Sequence, residues 1–338
     1  MRSENLPTGL SRLQHKLDLI SVDPYFRDTW DDVCESRGEP AQFIQRLNHH
    51  APLVLRPDAL GAGRAHDVLE FVYSHGFRPV AWSYFIFTRH VIRETWRYQL
   101  NIATTDRIEA MDLLLRGEQA MYILLERPMQ THEGAATTLL SRMKGPSDPA
   151  LRTEQHLRFR AGAAQESVIT YVHVADEPID ILREMGVFFD RSERRQLFES
   201  IEIGGDIGEQ LRAEVAAHWS VERFGLDFDR AMRRLTTFAD TARADDVVHT
   251  LIARINTGNG AQWRQLLDRI EQIGVPLSRW DRAALAARLS ARHVDAAPVV
   301  PDITDHQKLE IPCPTVQQQS TSSPSPRESL PKPCDNSD

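Results

Sequence analysis

The run Ser167-Val168-Ile169-Thr170-Tyr171-Val172 is mostly apolar and ends on His173, after which Asp176 and Glu177 lead into Pro178. A histidine so placed has three uses. Its neutral imidazole can act as nucleophile or base, it can ligate a metal, or it can pack. A protein-held metal finds little support. His49-His50 looks like a ligand pair but has no third partner, and the chain has neither a Cys-x-x-Cys nor a His-Glu-x-x-His spacing. The three cysteines, Cys34, Cys313 and Cys334, are far apart, which fits a reducing, cytoplasmic setting without a disulfide framework. Whether His173 is a nucleophile or a packed residue then depends on what other parts of the chain can reach it.

The elements that must position it divide into four stretches. Residues 1–50 read as a helical N-terminal extension: Leu10, Leu13, Leu17 and Ile20 recur at helical spacing, as do Phe43, Ile44 and Leu47, with Pro40 suited to a first helical turn. Residues 51–190 alternate strands and helices. Four strands are expected, in "APLVL", "FRPVAWSYFIF", "EQAMYILLE" and the run before His173. Helices are expected in "AHDVLEFVYSHG", "RHVIRETWRYQL" behind the cap residue Thr88, "DRIEAMDLLLRG", "GAATTLLSRMKG" and "EPIDILREMGVFF". The pattern predicts an α+β fold, an α/β sandwich on a mostly antiparallel sheet. Residues 191–295 read as an all-helical region with Trp219, Trp263 and Trp280 on apolar faces, and residues 296–338, rich in Pro, Ser and Gln, as a disordered tail.

Composition narrows the partners. The 338-residue chain carries a formal net charge of -8, which argues against general binding of nucleic-acid backbones. It has no run of about eighteen apolar residues and no signal-peptide core, so no membrane span is expected.

The stretch from Pro52 to Phe189 resembles the nucleoside diphosphate kinase family through ordered landmarks. The family's Lys-Pro-Asp after its first strand is matched by Arg56, Pro57 and Asp58, and its Gly-Phe-Arg before the second strand by Gly76, Phe77 and Arg78 at the same separation. Its Leu-Gly-x-Thr-Asn-Pro turn corresponds to Gly145, Ser147, Asp148 and Pro149, and an arginine at a set distance beyond it to Arg158. Its catalytic Asn-x-x-His-Gly-Ser-Asp aligns with Thr170, His173, Val174, Ala175 and Asp176. A glutamate eleven residues after that histidine falls on Glu184, and an aromatic pair on Phe188 and Phe189.

The resemblance implies a ferredoxin-like α/β sandwich with a four-stranded antiparallel sheet. It implies a phosphotransferase in which His173 takes the γ-phosphate of a nucleoside triphosphate and passes it to a nucleoside diphosphate. Glu184 would orient the ring, Arg56, Arg142 and Arg158 would supply positive charge, and Ser147, Thr170 and Trp96 would complete the nucleotide site. Mg2+ would arrive with the nucleotide. The chemistry agrees with those residue types, since a neutral imidazole can store a phosphoryl group and phosphoryl transfer depends on positioning and cations. A homo-oligomer or a protein partner on the helical region is a further expectation.

Several positions depart from the family. Arg56 stands for a lysine, Thr170 for an asparagine, Val174-Ala175 for Gly-Ser and Trp96 for a tyrosine. A phosphate-binding arginine expected at Ser141 moves to Arg142, and the base-stacking phenylalanine has only Ile108 or Met111 nearby. Arg56-Pro57-Asp58 also suits a plain strand-ending turn, and Glu184 a plain surface helix. The competing expectation is therefore a nucleotide-binding or protein-interaction module with impaired catalysis.

Overall fold

Four strands form one antiparallel sheet in the order β2-β3-β1-β4. They are β1 (His50–Leu55), β2 (Arg78–Ile86), β3 (Gln119–Glu126) and β4 (Val172–Val174). This ferredoxin-like order is seen in a computed structural model that describes residues 6–36, 39–129, 134–162, 166–240, 246–256, 263–290 and 299–300. The central strands explain their own composition. Ala120 to Leu125 of β3 and every residue of β1 are buried, because both sheet faces are covered, so these strands read as continuous apolar runs rather than alternating ones. The outer strand β2 is only partly covered, and Pro79, which has no N–H to donate, sits at an irregularity in its register with β3.

The helices are α1 (Gln14–Ile20), α2 (Pro24–Ser36) and α3 (Pro40–Leu47) before the sheet, then α4 (Pro57–Gly61) and α5 (Ala65–Ser74) between β1 and β2. Between β2 and β3 lie α6 (Arg89–Thr95) and α7 (Thr105–Leu115). Thr88 caps α6 by accepting the Val91 N–H at 3.1 Å. Between β3 and β4 lie α8 (Ala136–Lys144) and the short α9 (Leu157–Ala161), and α10 (Pro178–Phe188) follows β4 with its proline in the first turn.

Antiparallel partners share a sheet face. Ser83, Tyr122, Val54 and His173 form one such row across all four strands. α10 covers this row: Phe188 and Phe189 contact the Tyr122 ring, with centroids 6.2 and 5.1 Å away, and Phe188 stacks on Phe85 at 4.4 Å. The N-terminal helices lie against α10. Arg183 of α10 is buried and bonds to Asp23 at 2.8 Å, and Lys16 of α1 bridges Glu177 at 3.2 Å and also pairs with Asp180.

Past the sheet come α11 (Arg191–Ile203), α12 (Gly208–His218), α13 (Phe228–Ala239), α14 (Asp246–Asn256), α15 (Trp263–Gln272) and α16 (Arg279–Leu289). α16 packs on α7, and Arg264 and Arg279 bond to Glu109 and Glu118 at 3.1 and 2.7 Å. Trp263 and Trp219 are buried, while Trp280 is only half-buried against Phe224. No described helix is long and apolar enough to cross a membrane. The expected disordered tail lies outside the described residues apart from Val299 and Val300.

Candidate functional site

His173 sits in the middle of a strand only three residues long, not at the end of a long one. The longer apolar run stops pairing because Tyr171 adopts a left-handed backbone, φ 61°, which a side-chain-bearing residue holds at a cost of about 1 kcal/mol. The Arg-Pro-Asp segment offsets that cost. The Asp58 carboxylate accepts the Tyr171 N–H at 3.0 Å, and the Tyr171 carbonyl accepts the Arg56 N–H at 3.0 Å. The Arg56 guanidinium donates to Asp58 at 3.0 Å, to the Val168 carbonyl at 3.0 Å and to the Thr170 hydroxyl. Asp58 is fully buried and Arg56 nearly so. These two residues act first as a clamp on the chain leading into His173, so Asp58 matters more than the sequence indicated. Glycine is required opposite: a Cβ on Gly162 would lie 2.6 Å from the Tyr171 ring.

The imidazole is held on two sides. Its Nε2 is 2.7 Å from Glu184 Oε1, one strand-to-helix connection away. An ionised carboxylate only accepts, so Nε2 is the donor in this contact. Trp96 meets the ring edge-on, centroids 5.4 Å apart at 78°, and is itself stacked on Phe87. The tryptophan expected in the site is there, as packing that fixes the ring plane.

His173 faces a cleft of about 300 Å³. Arg56, Trp96, Ser147, Arg158 and Thr170 also line it, so most of the candidate residues converge. Glu184 lies behind the histidine, outside the lining, with its side chain 7% exposed. Arg142 is not among the lining residues, and Lys144, two residues on, is. Of the two residues near the expected stacking position, Met111 lines the cleft and Ile108 does not.

Two cations escaped the sequence reading. Arg107 enters from the first turns of α7 and donates to the Ser167 hydroxyl at 2.8 Å. Lys144 enters from the last turn of α8, bonding to Asp176 at 3.1 Å and to the Val174 carbonyl at 3.3 Å. No spacing rule marks either one, because each arrives on an element distant from His173 in sequence. Arg158 lies on α9 with its Nη1 donating to the Gly145 carbonyl at 2.7 Å, which ties it to the turn that presents Ser147.

Burial acts against the charge of Asp176, yet Lys144 and Lys16 hold its carboxyl well below the usual carboxylate range. The Tyr171 hydroxyl is pushed up to about 12 by burial and by the Asp58 charge. His156 beside Arg158 is lowered by burial and by that cation. The described lining of the cleft thus carries four cationic side chains, Arg56, Arg107, Lys144 and Arg158, and one carboxylate, Asp176. No group of three or more His, Cys, Asp or Glu that could hold a metal ion occurs among the described residues.

No protein-family model matches the chain, and no curated protein matches it. Among solved structures it is similar to the nucleoside diphosphate kinase of Aquifex aeolicus, with 18% identity and a TM-score of 0.34 over 42% of this chain and 95% of that one. It is also similar to the nucleoside-diphosphate kinase of Borrelia burgdorferi in a transition-state mimic with bound vanadate and ADP, with 13% identity and a TM-score of 0.33 over 43% of this chain and 88% of that one.

Proposed function

We propose that the chain is a phosphotransferase that carries the γ-phosphoryl group of a nucleoside triphosphate on His173 and delivers it to a nucleoside diphosphate. The observation that carries this reading is the 2.7 Å bond from His173 Nε2 to Glu184, which leaves Nδ1 as the nucleophilic nitrogen beside a cleft lined by Arg56, Arg107, Lys144 and Arg158. In the first half-reaction the Nδ1 lone pair attacks the γ-phosphorus, an N–P bond forms and the bond to the β-phosphate oxygen breaks. The nucleoside diphosphate leaves with that electron pair. The ring becomes cationic, and Glu184 opposes the new charge from the far side. In the second half-reaction a terminal oxygen of the acceptor diphosphate attacks the same phosphorus and the N–P bond breaks. The cleft cations offset charge on the moving group and on the β-phosphate.

Mg2+ fits this site as a passenger on the nucleotide phosphates rather than as a protein-bound ion. Asp176 is the one carboxylate among the described lining residues, and Ser141 and Lys144 already hold it. A bound Mg2+ would neutralise phosphate charge. The protein itself contributes the nucleophile, its orientation and the surrounding cations.

Incubation with γ-labelled nucleoside triphosphate tests the reading. Acid-labile, alkali-stable label is expected on the wild type and none on His173→Ala. Equal label on both, or none on either, refutes it. A second reading, nucleotide binding without turnover, is favoured by one observation: the Arg56 guanidinium donates to Asp58, Thr170 and Val168, so much of its donor capacity is used inside the protein. Calorimetric binding of nucleoside triphosphate with no phosphohistidine would select that reading.

A further inference from the structure

Behind His173, two buried polar atoms have no hydrogen-bond partner among the described residues: Oε2 of Glu184 and the hydroxyl of Tyr122. Glu184 belongs to α10 and Tyr122 to the sheet beneath it. Tyr122 is two strands away from His173 in the same cross-sheet row, on the face that α10 covers. Its ring is wedged edge-on against Phe188 and Phe189, at the end of the helix that carries Glu184. Tyr122 is completely buried. Glu184 lies one helical turn before Phe188, so the two side chains share the face of α10 that meets the Tyr122 ring; the hydroxyl is held well above its ordinary range, first by burial and then by the Glu184 charge.

A buried hydroxyl and a buried carboxylate oxygen without partners would each cost about 1–3 kcal/mol. A phenylalanine would fill the same apolar wedge without that cost. One shared partner would remove both costs at once. Placing one water between them satisfies both, since a buried water needs as few as two polar partners.

We propose that Tyr122 is a positioning residue that holds Glu184 through one buried water, and through Glu184 sets the orientation and acceptor strength seen by His173 Nε2. Glu184 then carries two bonds, one from each side. Oε1 takes the His173 N–H and Oε2 takes the Tyr122 relay, which fixes the carboxylate plane while the ring charges and discharges. Only the kinetic consequence depends on the phosphohistidine chemistry proposed above.

The test is Tyr122→Phe in the full chain, read in two ways. In nucleotide-free protein, the NMR resonance of the His173 Nε2 proton should move while those of His66 and His218 stay in place. The single-turnover rate of His173 phosphorylation should fall about fivefold, the scale of one weakened hydrogen bond in a network. In a Glu184→Gln background, Tyr122→Phe should change the resonance no further. An unmoved resonance, or an equal shift with and without Glu184, overturns the proposal. A purely structural hydroxyl would alter Tm and leave the resonance alone. If the wild type forms no phosphohistidine, the phosphotransfer reading fails while the NMR comparison still decides the relay. As a check that needs no variant, a high-resolution crystal structure should show density within hydrogen-bond distance of both Tyr122 Oη and Glu184 Oε2. A dry gap there would refute the relay.

Discussion

Glu184→Gln isolates the charge behind the histidine with little change in shape. The amide oxygen can still accept the Nε2–H, so ring orientation is largely kept, while the counter-charge to the phosphorylated ring is lost. Both side chains are shielded, 12% exposed for His173 and 7% for Glu184, so solvent screens the pair only modestly. A hydrogen bond to a charged group contributes about 1.5–3 kcal/mol. At about 1.4 kcal/mol per decade, losing the charged component in the transition state should slow His173 phosphorylation about 10- to 100-fold. Glu184 does not line the cleft, so nucleotide affinity should change less than about twofold. Rapid-quench measurement of alkali-stable label gives the rate, and calorimetry gives the affinity. A rate within about threefold of wild type would refute the assigned role. A large loss of nucleotide affinity would show that Glu184 acts through the cleft instead.

Asp58→Asn should lower stability by about 3–5 kcal/mol in denaturant unfolding, because it leaves buried Arg56 without its ion pair and the Tyr171 N–H with a poorer acceptor. An effect under about 1 kcal/mol would remove the clamp from the account. Gly162→Ala should lower stability by about 1–3 kcal/mol, since the new methyl meets the Tyr171 ring at 2.6 Å, and an unchanged Tm would contradict that contact. A pH effect follows from Asp180, raised to about 6 by burial, with Lys16 pulling it down and Asp176 pushing it up. A carboxyl near 3.9 in the unfolded chain and near 6 in the fold binds more protons when folded, so this group's contribution to stability falls as pH rises from about 4 to 6. Denaturation of Asp180→Asn and wild type at both ends of that window should therefore show the difference moving in favour of the variant at higher pH, and a constant difference would refute the shift.

Much of the scaffold was legible. Long apolar strands and helix punctuation located three of the four strands and the helices between them, because β1 and β3 are buried on both faces and their composition reports it. The fourth strand was misread in extent. Val168 and Ile169 are apolar because they are buried, not because they pair in the sheet, and apolar periodicity cannot tell the two apart. The break comes from the left-handed Tyr171, and no residue type announces a positive φ when the residue is a tyrosine. The short helix α4 was read as a turn, since Pro57 and Asp58 suit either. Within the site, His173 and Glu184 are eleven residues apart in sequence and meet at 2.7 Å. Arg107 and Lys144 belong to α7 and α8, and only the tertiary fold brings them to the cleft.

The polar contacts around His173 form one connected network. Position 141 holds a serine, so no long cation projects from there, and Ser141 donates instead to Asp176. The same carboxylate takes Lys144, one turn further along α8, and this puts a lysine at the cleft wall. Val174 and Ala175 then act through their backbones. The Val174 carbonyl accepts from Lys144, and the Ala175 carbonyl accepts from Thr137. Their side chains are almost fully buried, so they add apolar packing without requiring a polar partner. Lys144, Arg107 and Arg158 line the cleft, while Arg56, also at its wall, is drawn into the clamp on Tyr171. A buried lysine is costly to desolvate unless it is paired, and the Asp176 carboxylate and the Val174 carbonyl supply the pairing that keeps Lys144 at the cleft wall.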